Sequence, residues 1–391
     1  MIKSRLYNTI IKILSQHKKW LDVRHMFTLA WMIVGLIRSE KINLTAWVSY
    51  IESKAQYAQS TQRRFQRWIY NDRINVHELY DPLIQQSLSE WGNHTLYLAL
   101  DTSRLFEEYC LIRISVIFRS RAVPVVWKVI EHKSSTVAYE VYKELLDAAD
   151  RLLPKGVRIV FLADRGFADM GLMGYVQELG WHFRIRIKSN FLVYHEGAFS
   201  SVDEFPLQPG EALFLNHVCL TWQKYGLVHL ALGYSIDGKE KWYVASDEPA
   251  SIETFHEYGF RFDIEENFLD DKSNGFQLES SKVRSAEGLE RLCMVLAVAT
   301  LYLVSQGVEV VNKGKRRWVD PHWFRGSSYL KIGWNWVKTA LVKGWCLCSK
   351  LRLIGGIDPE PSMSSLSGLS STSADKHFSP FFQMACWGYS P

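Results

Sequence analysis

The chain has 391 residues, 47% of them apolar and 22% charged, a balance that fits a folded globular protein and excludes a disordered chain, a collagen-like fibre or a coiled-coil rod. Its net charge of +5 is unevenly divided: residues 1–75 carry +9 and residues 313–345 carry +7, which leaves −11 on the rest. Two basic flanks around an acidic middle suggest a polyanion held on both sides of a site that concentrates carboxylates, and a pair of solvated surfaces fits the same numbers.

The longest apolar runs, 27–37 and 292–304, are 11 and 13 residues long, short of the roughly 18 that a bilayer span needs, so both are expected to be buried helices. Charges interrupt the apolar positions of residues 1–19, and no secretory signal is expected there. The six cysteines are too scattered for a disulfide framework or a paired-Cys zinc site, and Cys346 and Cys348 read as packing.

Residues 1 to about 90 show helical spacing, as in Met26, Ala30, Ile33, Val34 and Ile37, and predict four or five short helices. Within them, Ser60 to Asn71 interleaves Arg63, Arg64 and Arg67 with Phe65, Trp68 and Tyr70 behind a Ser or Thr cap. That pattern suits a helix laid against a duplex backbone, and it equally suits an amphipathic helix with arginines snorkelling over a core edge.

From Thr95 the texture changes to β-rich runs. Strands are expected at 96–100, 111–118 and 123–130, then a helix at 137–153, a buried strand at 157–163, a helix at 170–179 and a strand at 182–188. This β-β-β-α-β-α-β order implies a mixed sheet with helices on its faces. Residues 190–249 read as a β-rich insertion, helices are expected at 252–272 and 286–304, and 311–354 is a basic, Trp-rich helical segment. The segment from Gly355 to Pro391 is Ser-rich and is expected to be disordered.

Asp101 follows the apolar strand in LALDTS, and Asp164 follows the apolar strand in VFLADRGF. Adjacent strand ends would bring both carboxylates together, where a divalent cation is the economical relief of their repulsion. In YGFRFDIEENFLDDK, Tyr258, Arg261, Glu265 and Lys272 stand at offsets 0, 3, 7 and 14. At about 100° per residue they fall on a helical stripe about 60° wide, one carboxylate among three phosphate-directed donors. Glu265 is therefore the expected third ligand, and Glu266 leaves the stripe.

These strings, with GFQLESS at Gly275 to Ser281, resemble the DDE transposases of bacterial insertion sequences that carry the Tyr-Arg-Glu-Lys signature. The resemblance spans roughly Thr95 to Val304. It implies an α/β, ribonuclease-H-like catalytic core, assigned here to 91–189 and 250–310, with the β-rich insertion at 190–249 and an N-terminal all-helical DNA-binding domain at 1–90. It also implies that Asp101, Asp164 and Glu265 are the catalytic residues and hold two Mg²⁺ ions, with Mn²⁺ able to substitute. Tyr258, Arg261 and Lys272 would contact phosphates near the cleavage point, and Arg165 beside Asp164 is a further candidate.

The implied activity is cut-and-paste transposition: binding of terminal inverted repeats, hydrolysis of phosphodiesters and 3′-hydroxyl strand transfer into target DNA. The implied partners are double-stranded DNA and a second copy of the chain when two ends are joined, with no membrane. The implied compartment is the bacterial cytoplasm, at the nucleoid. Two alternatives stay open: a catalytically silent, domesticated DNA-binding protein on the same fold, and a metal-dependent nuclease without strand transfer.

Overall fold

In the computed structural model, which describes residues 4–16, 20–53, 55–134, 137–269, 278–323 and 327–360, the apolar alternation of Leu96, Leu98 and Leu100 forms β1 (Leu96–Leu105). The strand runs past Asp101 to Leu105, with Ser103 and Leu105 buried on the face opposite the three leucines. It pairs antiparallel with β2 (Tyr109–Ile117), which pairs antiparallel with β3 (Ala122–Glu131). On its other side β1 pairs in parallel with β4 (Ile159–Ala163), which pairs in parallel with β5 (His182–Arg186).

The order β3-β2-β1-β4-β5, with two antiparallel strands on one side and parallel strands on the other, is the ribonuclease-H-like arrangement. Helices α6 (Tyr139–Leu152) and α7 (Met170–Glu178) make the crossovers, and the Asp169 carboxylate caps α7 by accepting from Leu172 N at 3.0 Å.

The inserted strands do not form a separate sheet. β6 (Leu192–His195), β7 (Ala198–Ser201), β8 (Ala212–Leu220), β9 (Tyr225–Tyr234) and β10 (Lys241–Ser246) extend the first five into one ten-stranded sheet, because β10 pairs antiparallel with β5.

The expected helix at 252–272 is two helices, α8 (Ile252–Gly259) and α9 (Phe262–Leu269). Between them Phe260 N bonds Glu257 O at 3.2 Å and Arg261 N bonds Tyr258 O at 3.0 Å, the tighter i to i−3 pattern. α9 packs across β1, β2 and β3.

Helix α10 (Ala286–Asn312) is apolar all round and runs eight residues beyond its expected end. It is long and apolar enough to cross a membrane, and 94% of that apolar window is buried inside the protein, as befits a core helix.

The N-terminal helices α1 (Arg5–Leu14), α2 (Val23–Ser39), α3 (Leu44–Trp47), α4 (Ala58–Ile69) and α5 (Val76–Leu88) match the expected number. They do not pack by themselves. A single hydrophobic cluster runs from Leu6 to Leu353, with α2 and α5 against α10 and α5 against β3. Arg291 of α10 donates to the carbonyls of Ile69 and Ile74, and Tyr80 of α5 donates to Pro124 O at 2.6 Å. α4 begins at Ala58, earlier than a Ser or Thr cap would place it, and Thr61 is buried with its hydroxyl on Ser53 at 2.8 Å.

In the basic C-terminal segment, α11 (Tyr329–Lys343) lies against α10. The segment expected to be disordered from Gly355 begins in order: Tyr329 donates to the Asp358 carboxylate at 2.7 Å and Arg316 to Glu360 O at 2.6 Å. Residues 361–391 lie outside the described residues. Cys346 is exposed rather than packed, while the Cys348 backbone is clamped by the Gln306 amide.

Candidate active site

Leu100 of β1 and Ala163 of β4 are the last register partners of the parallel pair, so Asp101 and Asp164 are the next residues on neighbouring strands. Asp101 is therefore not at the end of its strand; it stands where β4 stops and β1 continues beside β2, opposite Arg113. Asp164 leads into a short 3₁₀ turn, Arg165–Phe167, that leaves Arg165 exposed.

The third carboxylate arrives on α9. Arg261, between α8 and α9, is buried, and three contacts fix its guanidinium: Nη2 donates to Glu265 Oε1 at 2.6 Å, Nε donates to the Tyr258 hydroxyl at 3.1 Å, and Nη1 lies 3.8 Å from Asp101 Oδ2. The break between the two helices thus keeps Tyr258, Arg261 and Glu265 in one contacting group, the relation the stripe expected. Lys272 lies outside the described residues.

Electrostatics tie the group together. Burial pushes the Asp101 carboxyl up to about 6; Arg261 and the Thr102 amide pull against that, and the Glu265 and Asp164 charges add to it. Burial also lifts the Tyr258 phenol to about 12, with Asp164 adding to the rise and Arg261 opposing it. For Arg261 burial lowers the guanidinium pKa, but Tyr258, Glu265 and Asp164 outweigh that and leave it raised. Asp101, Asp164 and Glu265 therefore share one field, with Arg261 as its nearest cation.

Three carboxylates from three elements offer hard oxygen donors, the set that Mg²⁺ and Mn²⁺ prefer, and a half-buried Asp101 that shares a field with two more carboxylates would gain from a cation. The donor set fits a divalent cation. In this arrangement Glu265 Oε1 is engaged by the Arg261 guanidinium.

Among the described residues, the group whose ligand atoms lie within 4.8 Å of one another is His182, Asp247 and Glu248. It sits at the opposite end of the strands, at the start of β5 and just past the end of β10, and arginines already occupy its carboxylates. Arg184 is 3.5 Å from Asp247 and 2.5 Å from Glu248, and Arg158 is 2.5 Å from Glu248. Burial opposes the Glu248 charge, yet the two arginines outweigh it and lower its pKa. The same arginines grip the buried Glu257 of α8, which also accepts from Tyr97 at 3.1 Å. We read this network as the anchor that sets α8, and with it Tyr258 and Arg261, on the sheet.

Glu257 was not distinguishable in sequence, since one acid beside Tyr258 on a surface-like helix carries no signal of its buried partners. Arg184, Arg186 and Lys188 did carry one: cations at period two in an apolar strand place basic groups on one face of β5. Of the N-terminal arginines, Arg63, Arg64 and Arg67 are all exposed on α4, while Phe65 and Trp68 are buried. That arrangement agrees with both sequence readings of the helix.

The ribonuclease-H-like sheet thus brings Asp101 beside Asp164, and Arg261 links Glu265 of α9 to Asp101. Residues 107–302 match the transposase DDE domain family, half of the chain, and the chain belongs to that family. The match includes Asp164 and Glu265 and begins just after Asp101. Such domains are metal-dependent enzymes that act on DNA. No curated protein matches the chain by sequence. Among solved structures, a cryo-EM structure of the piggyBac transposase synaptic complex with hairpin DNA is similar at 12% identity and a TM-score of 0.45, over 98% of this chain and 84% of that one.

Proposed function

We propose that the chain is a cut-and-paste DNA transposase in which Asp101, Asp164 and Glu265 hold two divalent ions, commonly Mg²⁺. The observation that carries this reading is the register of β1 and β4, which makes Asp101 and Asp164 neighbours, with Glu265 linked to Asp101 through Arg261. With the ions bound, the site would activate an attacking oxygen and stabilise the departing 3′-oxygen of a phosphodiester.

The remaining work falls to the chain's own side chains. Arg261 is poised to exchange Glu265 for a phosphate oxygen, and exposed Arg165 presents a second donor next to Asp164. Tyr258 is fully buried and acts through Arg261, whose Nε it receives. Arg63, Arg64 and Arg67 supply a basic helix face for duplex DNA beyond the cleavage point, and two copies of the chain would bring two ends together.

The test is incubation of the purified protein with linear DNA that ends in the element's own inverted repeats, with and without Mg²⁺. New 3′-hydroxyl ends and joined products that depend on Mg²⁺ are expected. DNA that is bound and never cut with either Mg²⁺ or Mn²⁺ would leave the silent DNA-binding reading, and cutting without joined product would leave the nuclease reading.

A further inference from the structure

Beside Asp164, where β5 gives way to the inserted strands, the surface opens into a cleft of about 720 Å³. Arg165 lines it from the end of β4, Arg186 and Lys188 from the end of β5, and Lys241 from the start of β10, while Asp203 is the acid on its wall. Four cations against one carboxylate mark it as a place for an anion.

Its walls are fixed. Arg186 donates to Glu240 at 2.8 Å and to Lys241 O at 3.0 Å, with its guanidinium 5.5 Å from the Trp242 ring centre, which anchors it on the floor. Ile187 N bonds Tyr243 O at 2.8 Å, Phe191 N bonds Lys188 O at 3.1 Å, and Asp203 N bonds Ser189 O at 3.1 Å, so the turn carrying Lys188 is tied on both sides. Arg165 and Lys188 are exposed and have no carboxylate in ion-pair reach among the described residues. The Lys241 ammonium lies 5.1 Å from the Tyr234 ring centre.

We propose that this cleft is a second DNA contact, which holds the phosphodiester backbone of the strand that passes the carboxylates, with Lys188 and Lys241 as its outer donors. The assignment rests on the transposase reading for its ligand. The feature that selects a backbone over a small anion is the spread of its cations over the ends of three chain elements, Arg165 after β4, Arg186 and Lys188 at and after the end of β5, and Lys241 at the start of β10, which offers separate charges to successive phosphates. Because Lys241 opens β10 and Asn190, Asp203 and Tyr243 also line the cleft, the inserted segment supplies four of its nine lining residues. The insertion thereby gains a function that its fold alone does not reveal.

The experiment measures binding of a fluorescein-labelled duplex of arbitrary sequence, and of the same DNA as a single strand, across a series of NaCl concentrations without divalent ions. Each phosphate contact contributes about 0.9 to the slope of log K against log salt for a duplex and about 0.7 for a single strand. The Lys188→Ala/Lys241→Ala variant is expected to flatten the slope by about 1.8 on a duplex, or by about 1.4 on a single strand, and to lose about tenfold in affinity at low salt. The form of DNA that shows the change is the form the cleft holds.

Lys188→Arg/Lys241→Arg keeps both charges and should keep the wild-type slope. So should Lys155→Ala, which removes an exposed lysine before β4, at the other end of the strands. Wild-type slopes for the double alanine variant on both DNA forms would overturn the proposal. So would an equal loss in the arginine variant, which would place the effect in packing. Cleavage assayed in parallel separates the two readings: the expected slope change in the double alanine variant, together with a wild-type protein that cuts nothing, refutes the transposase reading alone. A protein that cuts normally with unchanged slopes refutes the cleft alone.

Discussion

Arg261 closes on Glu265 across one helical turn, its Nη2 donating to Oε1 at 2.6 Å, and so the residue assigned to a metal is held by a cation of the chain itself. The same guanidinium stands 3.8 Å from Asp101. Its charge partly offsets the repulsion of the carboxylates, and it competes with any ion that would replace it.

Replacing Arg261 by Gln should therefore separate metal binding from catalysis. Without a divalent ion the variant should lose on the order of 2 kcal/mol, less than the 3–5 of a fully buried broken pair because Glu265 is half exposed. Binding of Mn²⁺, followed by electron paramagnetic resonance, should tighten by on the order of tenfold as a competing charge leaves. DNA cleavage should fall by at least about a hundredfold, the usual cost of one phosphate-directed donor. Weaker Mn²⁺ binding in the variant would show that Arg261 assembles the site rather than guarding it.

Asp101 gives a pH prediction. Its carboxyl titrates near 6 in the folded chain and near 3.8 when unfolded, so between those values the folded state binds the extra proton and stability falls as pH rises. Above pH 6 the cost is complete, about 3 kcal/mol. Asp101→Asn removes it: the variant should be more stable than the wild type at pH 8 in the absence of divalent ions and nearly equal to it at pH 3.5. Thermal unfolding at the two values checks this. Added Mg²⁺ should stabilise the wild type more than the variant, because the variant offers the ions one carboxylate fewer.

Asp101→Asn, Asp164→Asn and Glu265→Gln should each abolish cleavage while DNA affinity stays within about threefold of the wild type, since phosphate contacts elsewhere supply most of the binding. Gel shifts and cleavage gels on the same DNA decide it. Full cleavage by any one of the three would remove that residue from the site.

The sheet and its carboxylates were legible in the sequence for a physical reason. A buried strand must be apolar along its length, so a lone Asp directly after Leu100 or Ala163 announces itself, and Tyr258, Arg261 and Glu265 repeat with helical spacing. Long-range packing left no such mark. Nothing in the apolar stripe of α5 says whether Tyr80 faces its own helical neighbours or Trp127 of β3, and the structure chooses the second: the rings lie 5.0 Å apart and Trp127 is fully buried. The insertion was recognisable as β-rich, but that β10 would join β5 depends on edge pairing, which periodicity does not encode.

That shared core changes what a truncation should do. The sequence alone suggests that residues 91–391 fold without the N-terminal helices. In the structure, removal of residues 1–90 strips α2 and α5 from α10, exposes Trp127 and leaves Arg291 without the Ile69 and Ile74 carbonyls. The fragment is expected to lack a cooperative unfolding transition and to aggregate. Circular dichroism during a urea titration tests this, and a two-state transition in the fragment would show that the helices are dispensable.

The last prediction concerns the crossing of α10 and α11, which fixes the C-terminal segment to the core. At Gly333 an added Cβ would stand 1.8 Å from Leu303 O, and at Gly307 it would stand 2.2 Å from Tyr329 O, so each backbone occupies the space of the other's missing side chain. Neither glycine has a positive φ, and the requirement is one of room alone. An alanine forces the helices apart along a contact that also includes Val337 and Ala340, both fully buried. Overpacking of this kind costs about 1–3 kcal/mol where neighbours can yield, and a backbone carbonyl yields less than a side chain. Gly333→Ala and Gly307→Ala are each expected to lose about 3 kcal/mol or more, read as a lower urea midpoint at unchanged slope. Gly166→Ala, with nothing within 4 Å of its new methyl, should stay within about 0.5 kcal/mol of the wild type. A Gly333→Ala protein as stable as the Gly166→Ala control would mean that the two helices do not cross this closely.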